Sequence, residues 1–315
     1  MENRININYQ LVSSLNRNWP KRATVCSINK FQVDTVYEAD RPDYPLEMVP
    51  FINHPKFSSL SGEVKSKVIT WGWIGYNLRT ITAEEKVVNP ALSIIADRYL
   101  AKDDFLCREA LQHVLIDEHY HTLMHLEAVN RTKNQREINY DIDLPESVTY
   151  LSLKKLQDSL SHQWQKDLAA IAFAVVAEIS VNAYLDILAD NQDIQPQNRQ
   201  VAELHNRDEY AHSKTIAEIV KKMYGNMPEE HKSFFISMLP EALNAYIAQD
   251  YSMWKVILQY FNIPDVDLII ADTRRNSENS VIMRDYSGLK KFASALNVLD
   301  EIKFNFDGYS SHKEI

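Results

Sequence analysis

The sequence predicts an all-α protein in which long helices pack side by side as a bundle. The chain has 315 residues, of which 45% are hydrophobic and 24% charged, an ordinary globular balance that allows a sizeable core. Only six residues are glycine, which argues against turn-rich β architecture. From Ser61 onward, apolar residues recur with the 3.6-residue period of helices. We expect a single domain overall, with an irregular N-terminal strap over residues 1–60 packed on a helical bundle over residues 61–315.

This periodicity predicts five or six long helices, the last of them optional. The first should end by Asn89-Pro90, because the residue before a proline is pushed out of the helical region, and a short helix can follow it. The fourth should end at Gly225, a plausible cap, and Pro240 is a candidate bend in the fifth. Several long helices with short connections are typical of a bundle. The predicted helices lie near residues 62–86, 103–130, 161–189, 197–224, 229–261 and 286–300.

Charge and cysteine content exclude several classes of protein. The net charge of −9 argues against nucleic-acid binding, which usually requires a basic surface. Two cysteines, Cys26 and Cys107, form no CxxC motif, which argues against a disulfide framework or a thiolate metal site and fits a reducing compartment. The first residues lack the pattern of a signal peptide, and no uncharged apolar run is long enough for a membrane span. We expect a soluble, cytoplasmic protein with no nucleic-acid or membrane partner.

The third predicted helix contains a carboxylate where a core residue is expected. Between Leu168 and Val181 every residue is apolar or small except Glu178 and Ser180. A helix that is apolar on all sides is a buried, central helix. A carboxylate in its middle costs several kcal/mol unless it is paired or binds a metal. The sequence leaves both explanations open, an arginine partner such as Arg207 or a metal ion.

Two Glu-x-x-His motifs occur on other long helices. Glu118 and His121 lie on the second helix, while Glu209 and His212 lie on the fourth, four residues after His205. A spacing of three or four places such side chains on one face of a helix. One such motif is weak evidence, but two, with a lone buried glutamate on the helix between them, match the inward-facing ligands of di-iron carboxylate bundles. The pattern therefore predicts a ferritin-like or ribonucleotide-reductase-like helical bundle.

The di-iron pattern requires one more glutamate, from the first helix. Glu84 continues the line of Tyr76 and Thr80 in steps of four and is our choice, with Glu85 as the alternative. Carboxylates and imidazoles without thiolates suit iron or manganese, either as an iron pair or as a manganese–iron pair. His125, four residues after His121, is expected to support the site or to pack rather than to bind metal. The predicted ligands of two iron ions are Glu84, Glu118, His121, Glu178, His205, Glu209 and His212.

The glycines form neither a GxGxxG motif nor a phosphate-binding loop. Nicotinamide, flavin and nucleotide sites of those kinds are therefore not expected in this chain. If the metal centre activates dioxygen as a co-substrate, its electrons must come from an external donor, and a separate reductase is the expected partner.

Four segments carry a resemblance to a known family. They are YNLRTITAEEKVVNP at 76–90, EHYH at 118–121, Glu178 with Asn182, and HNRDEYAH at 205–212. In them the chain resembles the AurF-type di-iron N-oxygenases, the family of the p-aminobenzoate N-oxygenase of aureothin biosynthesis and the arylamine oxygenase of chloramphenicol biosynthesis. That family adds a third histidine to the usual ligand set, and His205 lies where it belongs. The resemblance implies a ferritin-like di-iron enzyme, usually a homodimer, which oxidises an amine nitrogen to hydroxylamine, nitroso or nitro products in secondary metabolism.

By position, Tyr76, Arg79 and Asn182 resemble residues that line the substrate pocket of this family, and Arg79 could pair with a substrate carboxylate. No catalytic residue beyond the metal ligands is expected. Tyr184 and Tyr246 occupy positions where we expect the substrate pocket of the aureothin enzyme to have smaller or less polar side chains. A small-molecule arylamine, an aliphatic amine and a carrier-protein-bound aminoacyl group therefore all remain candidate substrates.

Other functions fit parts of the same pattern. A di-iron C–H hydroxylase or a radical-generating subunit of ribonucleotide reductase would share the ligand set, although the latter does not explain His205. An iron storage or binding protein would have no organic substrate, but such proteins are shorter. A plain bundle with buried ion pairs would require both Glu-x-x-His motifs to be accidental.

Overall fold

The computed structural model describes residues 7–27, 36–248, 250–276 and 286–306. Within these ranges the chain is helical and contains no strand, which confirms the all-α prediction. Two π-helical stretches, Glu84–Val88 and Ile95–Tyr99, extend the line of helices α3 and α4. Short 3-10 turns lie at Thr24–Cys26, Leu46–Met48 and Leu299–Glu301. The α-helices are α1 Tyr9–Arg22, α2 Pro55–Ser58, α3 Gly62–Ala83, α4 Asn89–Ile94, α5 Phe105–Gln135, α6 Val148–Ser159, α7 Gln163–Ser180, α8 Asn182–Ala189, α9 Pro196–Gly225, α10 Glu229–Ile247, α11 Tyr251–Tyr260, α12 Val266–Asn276 and α13 Ser287–Ala295.

Four long elements form the centre of the bundle: α3 with its π-helical extension, α5, α7 and α9. Helix α3 packs on α5, α9 contacts both α5 and α7, and α10 covers α7 from outside. The run from Leu168 to Val176 on α7 is buried throughout, as expected for a central helix. Among the described residues, the stretch Gln163–Ala189 contains an 18-residue window that is apolar enough to cross a membrane, but 72% of this window is buried inside the protein. It is therefore accounted for as a core helix.

The first predicted helix does not end at Asn89-Pro90; this prediction was wrong. The helical path continues from Ala83 through Glu84–Val88 and α4 to Tyr99. At the wide turn the Asn89 N–H donates to the Glu84 carbonyl, five residues earlier, so the spacing is that of a π-helix. A local widening of this kind lets a helix carry a proline without ending, and such turns are frequent at functional sites.

The N-terminal strap is not irregular throughout, and this prediction is corrected for Tyr9–Arg22. These residues form helix α1, which packs against α5. The Asn8 side chain caps the helix by accepting a hydrogen bond of 3.0 Å from the Leu11 N–H. The sequence of α1 is rich in Ser, Asn and Arg, and it buries little apolar surface. Only Val12 and Asn16 of this helix are buried.

Further boundaries also differ from the predictions. The third predicted helix is broken at Val181 into α7 and α8, and the fifth is divided into α10 and α11 rather than bent at Pro240, which lies within α10. Gly225 is the last residue of α9, and Asn226 is its cap. Helices α2, α6 and α12 were not predicted.

Two glycines allow α3 and α11 to approach closely. A Cβ atom on Gly72 would meet the Trp254 ring, and a Cβ atom on Gly75 would meet the Met253 sulfur. Any larger residue would therefore push α11 away from α3. This contact matters for function, because Met253 and Trp254 form part of a cavity wall described below.

Candidate metal centre

The bundle brings all seven predicted ligands to one place inside the protein. Each of them is buried, with no more than 5% of its surface exposed. Candidate ligand atoms form two sets, and within each set the atoms lie no more than 4.8 Å from one another. The first set comes from Glu118, His121, Glu209 and His212, and the second from Glu84, His121 and His205. Glu178 completes the group, with its Oε2 atom 3.9 Å from the His212 Nδ1 atom.

The choice between Glu84 and Glu85 is decided by orientation. Glu84 is 5% exposed, and its Oε1 atom lies 3.5 Å from the His205 Nε2 atom. Glu85 is exposed and points away from the group. Glu84 is the first residue of the π-helical turn, which sets the side on which its carboxylate projects. The geometry therefore favours Glu84.

The histidines of both motifs present the same ring atom to the glutamates. The His121 Nδ1 atom lies 3.3 Å from Glu118 Oε2 and 3.4 Å from Glu209 Oε1. The His212 Nδ1 atom lies 2.7 Å from Glu118 Oε1 and 3.2 Å from Glu209 Oε1. In each ring the Nε2 atom points outward, so Nδ1 is the atom available to a metal.

Two buried aspartates contact the Nε2 atoms of His121 and His212, and the sequence analysis missed both. The His212 Nε2 atom lies 3.0 Å from Asp117 Oδ2, and the His121 Nε2 atom lies 3.4 Å from Asp208 Oδ2. Each aspartate directly precedes the glutamate of one motif but contacts the histidine of the other. A repeated Asp-Glu-x-x-His pattern was therefore the available signal. A carboxylate behind a ligating imidazole fixes its tautomer and orients its ring.

The N-terminal segment holds the two aspartates from outside. The Trp19 indole N–H donates to the Asp117 carboxylate at 3.0 Å, and the Thr24 backbone N–H donates to Asp208 Oδ2 at 3.0 Å. The Arg22 guanidinium lies between them, 3.7 Å from Asp117 and 3.3 Å from Asp208. Helix α1 thus contributes to the site indirectly, through the residues that orient both histidines.

The third histidine is held by a separate chain of hydrogen bonds. The Asn77 Nδ2 atom donates to the Trp73 carbonyl at 2.7 Å, so Asn77 Oδ1 must accept from the His125 Nδ1–H, 2.7 Å away. Burial and the nearby His205 lower the pKa of His125 well below its usual value, so its ring is neutral. Its Nε2 atom then accepts from the His205 Nδ1–H at 2.8 Å. This order leaves the lone pair of His205 Nε2 directed at Glu84 and Glu209.

The charges of the site favour an added cation. Burial and the neighbouring carboxylates raise the pKa of Glu84 and of Glu178 well above the ordinary value, because ionising them together in a dry site is costly. Burial disfavours the charged form of His121, but Asp208 and Glu118 outweigh this and raise its pKa to about 10. The protein supplies too little positive charge of its own for four neighbouring glutamates.

The four glutamates also have unused oxygen atoms. Glu84 Oε2, Glu178 Oε2 and Glu209 Oε2 are buried and lack a hydrogen-bond partner among the described residues. Glu118 Oε1 lies 2.7 Å from His212 Nδ1, but this contact does not have hydrogen-bond geometry. The ion-pair alternative for Glu178 fails, because Arg207 instead donates to the Thr24 hydroxyl at 2.6 Å and lies beside Asp208. Buried acceptors without donors are expected where a metal ion supplies the missing partner. The donor set therefore fits a metal centre.

A cavity of 290 Å³ adjoins this group. Glu84, Glu178, His205 and Glu209 line one part of it, and six aromatic side chains form part of the remaining wall, namely Tyr44, Tyr76, Tyr184, Tyr246, Trp254 and Tyr286. The structure brings the predicted pocket residues Tyr76 and Arg79 to this wall, but not Asn182. The Asn182 side chain instead donates to the Asn206 side-chain oxygen at 2.8 Å and links α8 to α9.

Fold and site together define the class of protein, an all-α bundle with a buried glutamate–histidine group that can hold metal beside an aromatic cavity. The sequence matches the family described as P-aminobenzoate N-oxygenase AurF over residues 8–297. It is also 36% identical over 294 residues to the 4-aminobenzoate N-oxygenase of Streptomyces thioluteus, a similarity that covers 92% of this chain and 87% of that protein. The chain therefore belongs to the AurF family of N-oxygenases. This confirms the predicted family, the ferritin-like helical fold and the assignment as an N-oxygenase.

Proposed function

We propose that this protein is a non-haem di-iron monooxygenase that uses dioxygen to oxidise the nitrogen of an aromatic amine. The proposal of a metal centre rests on four buried glutamate oxygens that make no hydrogen bond. They belong to Glu84, Glu118, Glu178 and Glu209. The match to N-oxygenases and the aromatic cavity beside the same glutamates support the reaction and its substrate class.

We assign the seven buried residues as ligands of two iron ions. His121 and His212 would bind through Nδ1 and His205 through Nε2, because their other ring atoms contact Asp208, Asp117 and His125. The four glutamates would supply the remaining ligand oxygens, and their four negative charges would balance two ferrous ions. Iron suits this set of carboxylates and imidazoles. Two bound irons supply the means of reducing dioxygen and delivering one oxygen atom to nitrogen.

The residues of the chain bind and orient the amine. Tyr76 and Tyr184 stack at 5.7 Å between ring centroids on the cavity wall, and Trp254 contributes a further face. Such a wall binds a flat aromatic ring and excludes water from the part of the cavity that the glutamates line. The amine then lies beside Glu84, Glu178 and Glu209. A first oxygenation converts the amine and dioxygen, with two electrons and two protons, to a hydroxylamine and water.

The electrons would come from an external donor, and we propose a separate reductase as the partner. By the printed activity of the Streptomyces relative, 4-aminobenzoate is the first substrate to test. The proposal also includes a homodimer acting in the cytoplasm in secondary metabolism, with all described residues belonging to a single domain. A carrier-bound aminoacyl substrate is the second candidate, because the cavity exceeds what the ring of an arylamine alone fills.

Metal content, measured by plasma mass spectrometry on protein from iron-replete cells, is the primary test. We expect two irons per chain and, under dioxygen with a chemical reductant, conversion of an aromatic amine to its hydroxylamine. His205→Ala should lower the iron content by about half, while Glu85→Ala, on the exposed side of the same region, should not change it. A protein that takes up no iron after anaerobic addition of ferrous ion would refute the assignment.

A further inference from the structure

The cavity wall contains an ion pair that is separate from the predicted iron ligands. The Arg79 NH2 atom lies 2.8 Å from the Asp250 Oδ2 atom, and these side chains are 18% and 21% exposed. Both residues line the cavity. A second nitrogen of the Arg79 guanidinium donates to the Pro145 carbonyl, which fixes the plane of the group. The Asp250 Oδ1 atom accepts from the Ser252 N–H at 3.0 Å and caps helix α11.

The two facing atoms form a close ion pair, 2.8 Å apart, without the geometry of a hydrogen bond. Arg79 NH2 and Asp250 Oδ2 are both buried, and neither has a hydrogen-bond partner of acceptable geometry among the described residues. A buried donor and a buried acceptor therefore stand side by side at the cavity wall. A ligand group that carries both a donor and an acceptor can replace this poorly aligned contact with two aligned hydrogen bonds.

The charges on the cavity wall also affect which substrates can bind. Arg79 is the only lysine or arginine among the described residues that line the cavity. Asp250 already balances its positive charge. A substrate carboxylate at this place would meet a negative oxygen 2.8 Å from the cation that it needs. It would also leave an excess negative charge in a largely apolar cavity, which is unfavourable.

We propose that Asp250 is a specificity-determining residue that selects aromatic amines whose distal group is uncharged and carries both a donor and an acceptor, such as a carboxamide. The carbonyl oxygen of the amide accepts from Arg79, and its N–H donates to Asp250. A free carboxylate can use Arg79 but is repelled by Asp250. This inference rests on the proposed N-oxygenase function and adds the chemical class of the substrate.

The sharpest test compares 4-aminobenzamide with 4-aminobenzoate, which share ring and amine and differ at the distal group. We expect the iron-loaded wild-type enzyme to show a kcat/KM for the amide higher by on the order of tenfold, mainly through KM. A kcat/KM for the acid that is equal or higher would overturn the inference while leaving the N-oxygenase function intact.

The variant Asp250→Asn removes the negative charge but retains the shape and the helix cap, since asparagine is as good an N-cap as aspartate. We expect it to lower KM for the acid and to reverse the preference. Asp104→Asn is the matched control, because Asp104 also caps a helix and pairs with a cation, Lys222, away from the cavity. An unchanged substrate ratio in Asp250→Asn would refute the role of Asp250.

A binding measurement separates this inference from the failure of the proposed reaction. Calorimetric titration of the iron-loaded protein without dioxygen reports the affinity for each compound with no turnover. Tighter binding of the amide supports the inference even if no amine is oxidised. Equal binding, tighter binding of the acid, or binding of neither compound overturns it.

Discussion

His125 offers the most direct test of how the site is built. It lies between Asn77 and the predicted ligand His205, with hydrogen bonds of 2.7 Å and 2.8 Å. The variant His125→Leu keeps a side chain of similar size and removes both bonds. His205 Nδ1–H and Asn77 Oδ1 would then be buried without partners. Each such group costs about 1–3 kcal/mol, so we expect the free energy of unfolding to fall by about 2–6 kcal/mol.

The effect on metal binding should be more specific than the effect on stability. Without His125, the ring of His205 can rotate or exchange its tautomer, and its Nε2 lone pair is no longer held toward the glutamates. Loss of such a supporting partner typically lowers metal affinity about 10–100-fold. We expect one of two metal ions to bind more weakly, while the other, bound by the Glu-x-x-His residues, is nearly unaffected.

Titration of the metal-free protein with cobalt(II), followed by its visible absorption, would resolve two binding steps without requiring turnover. His125→Gln retains an acceptor for His205 and should restore part of the affinity. His119→Leu, at an exposed position on the same helix, is the control for a change of histidine to leucine. If His125→Leu bound both ions as tightly as His119→Leu, the chain of hydrogen bonds would have no role in orienting His205.

Three further predictions concern other parts of the molecule. Arg22→Ala leaves two buried aspartates without their shared cation, so the free energy of unfolding should fall by about 2 kcal/mol in denaturant titrations, and an unchanged midpoint would contradict this. The iron content, measured by plasma mass spectrometry, should fall in Glu84→Gln but not in Glu85→Gln. The reverse result would mean that Glu85 is the ligand. Burial opposes ionisation of Asp104, but its hydrogen bond from Lys222 holds the pKa of Asp104 below its ordinary value of 3.8. A depressed carboxyl pKa stabilises the fold above the ordinary value, so the stability advantage of wild type over Asp104→Asn should vanish as the pH falls below it, and a difference that persists in acid would contradict this.

Helix boundaries show where the sequence was insufficient. Asn89-Pro90 indicated an end to the first helix by a rule that holds for α-helical geometry, but the chain adopts a π-helical turn at Glu84–Val88 and continues. The turn is stabilised by the packing of α3, α5 and α7 around it, which the local sequence does not contain. Helix α1 was missed because its sequence is polar overall; only Val12 and Asn16 of it are buried, and polar contacts to α5 and α9 hold it in place.

The sequence by itself determined the fold class, the family and the set of candidate ligands. Helical periodicity and the spacing of three or four residues act within one helix, so they place Glu118 with His121 and His205 with Glu209 without knowledge of the rest. Only the tertiary structure decided which side chains meet across helices. It paired Asp117 with His212 and Asp208 with His121, brought Glu84 rather than Glu85 into the buried group, and placed Asp250 against Arg79. These contacts join residues far apart in the chain, and their geometry depends on how the helices pack, which no local pattern encodes.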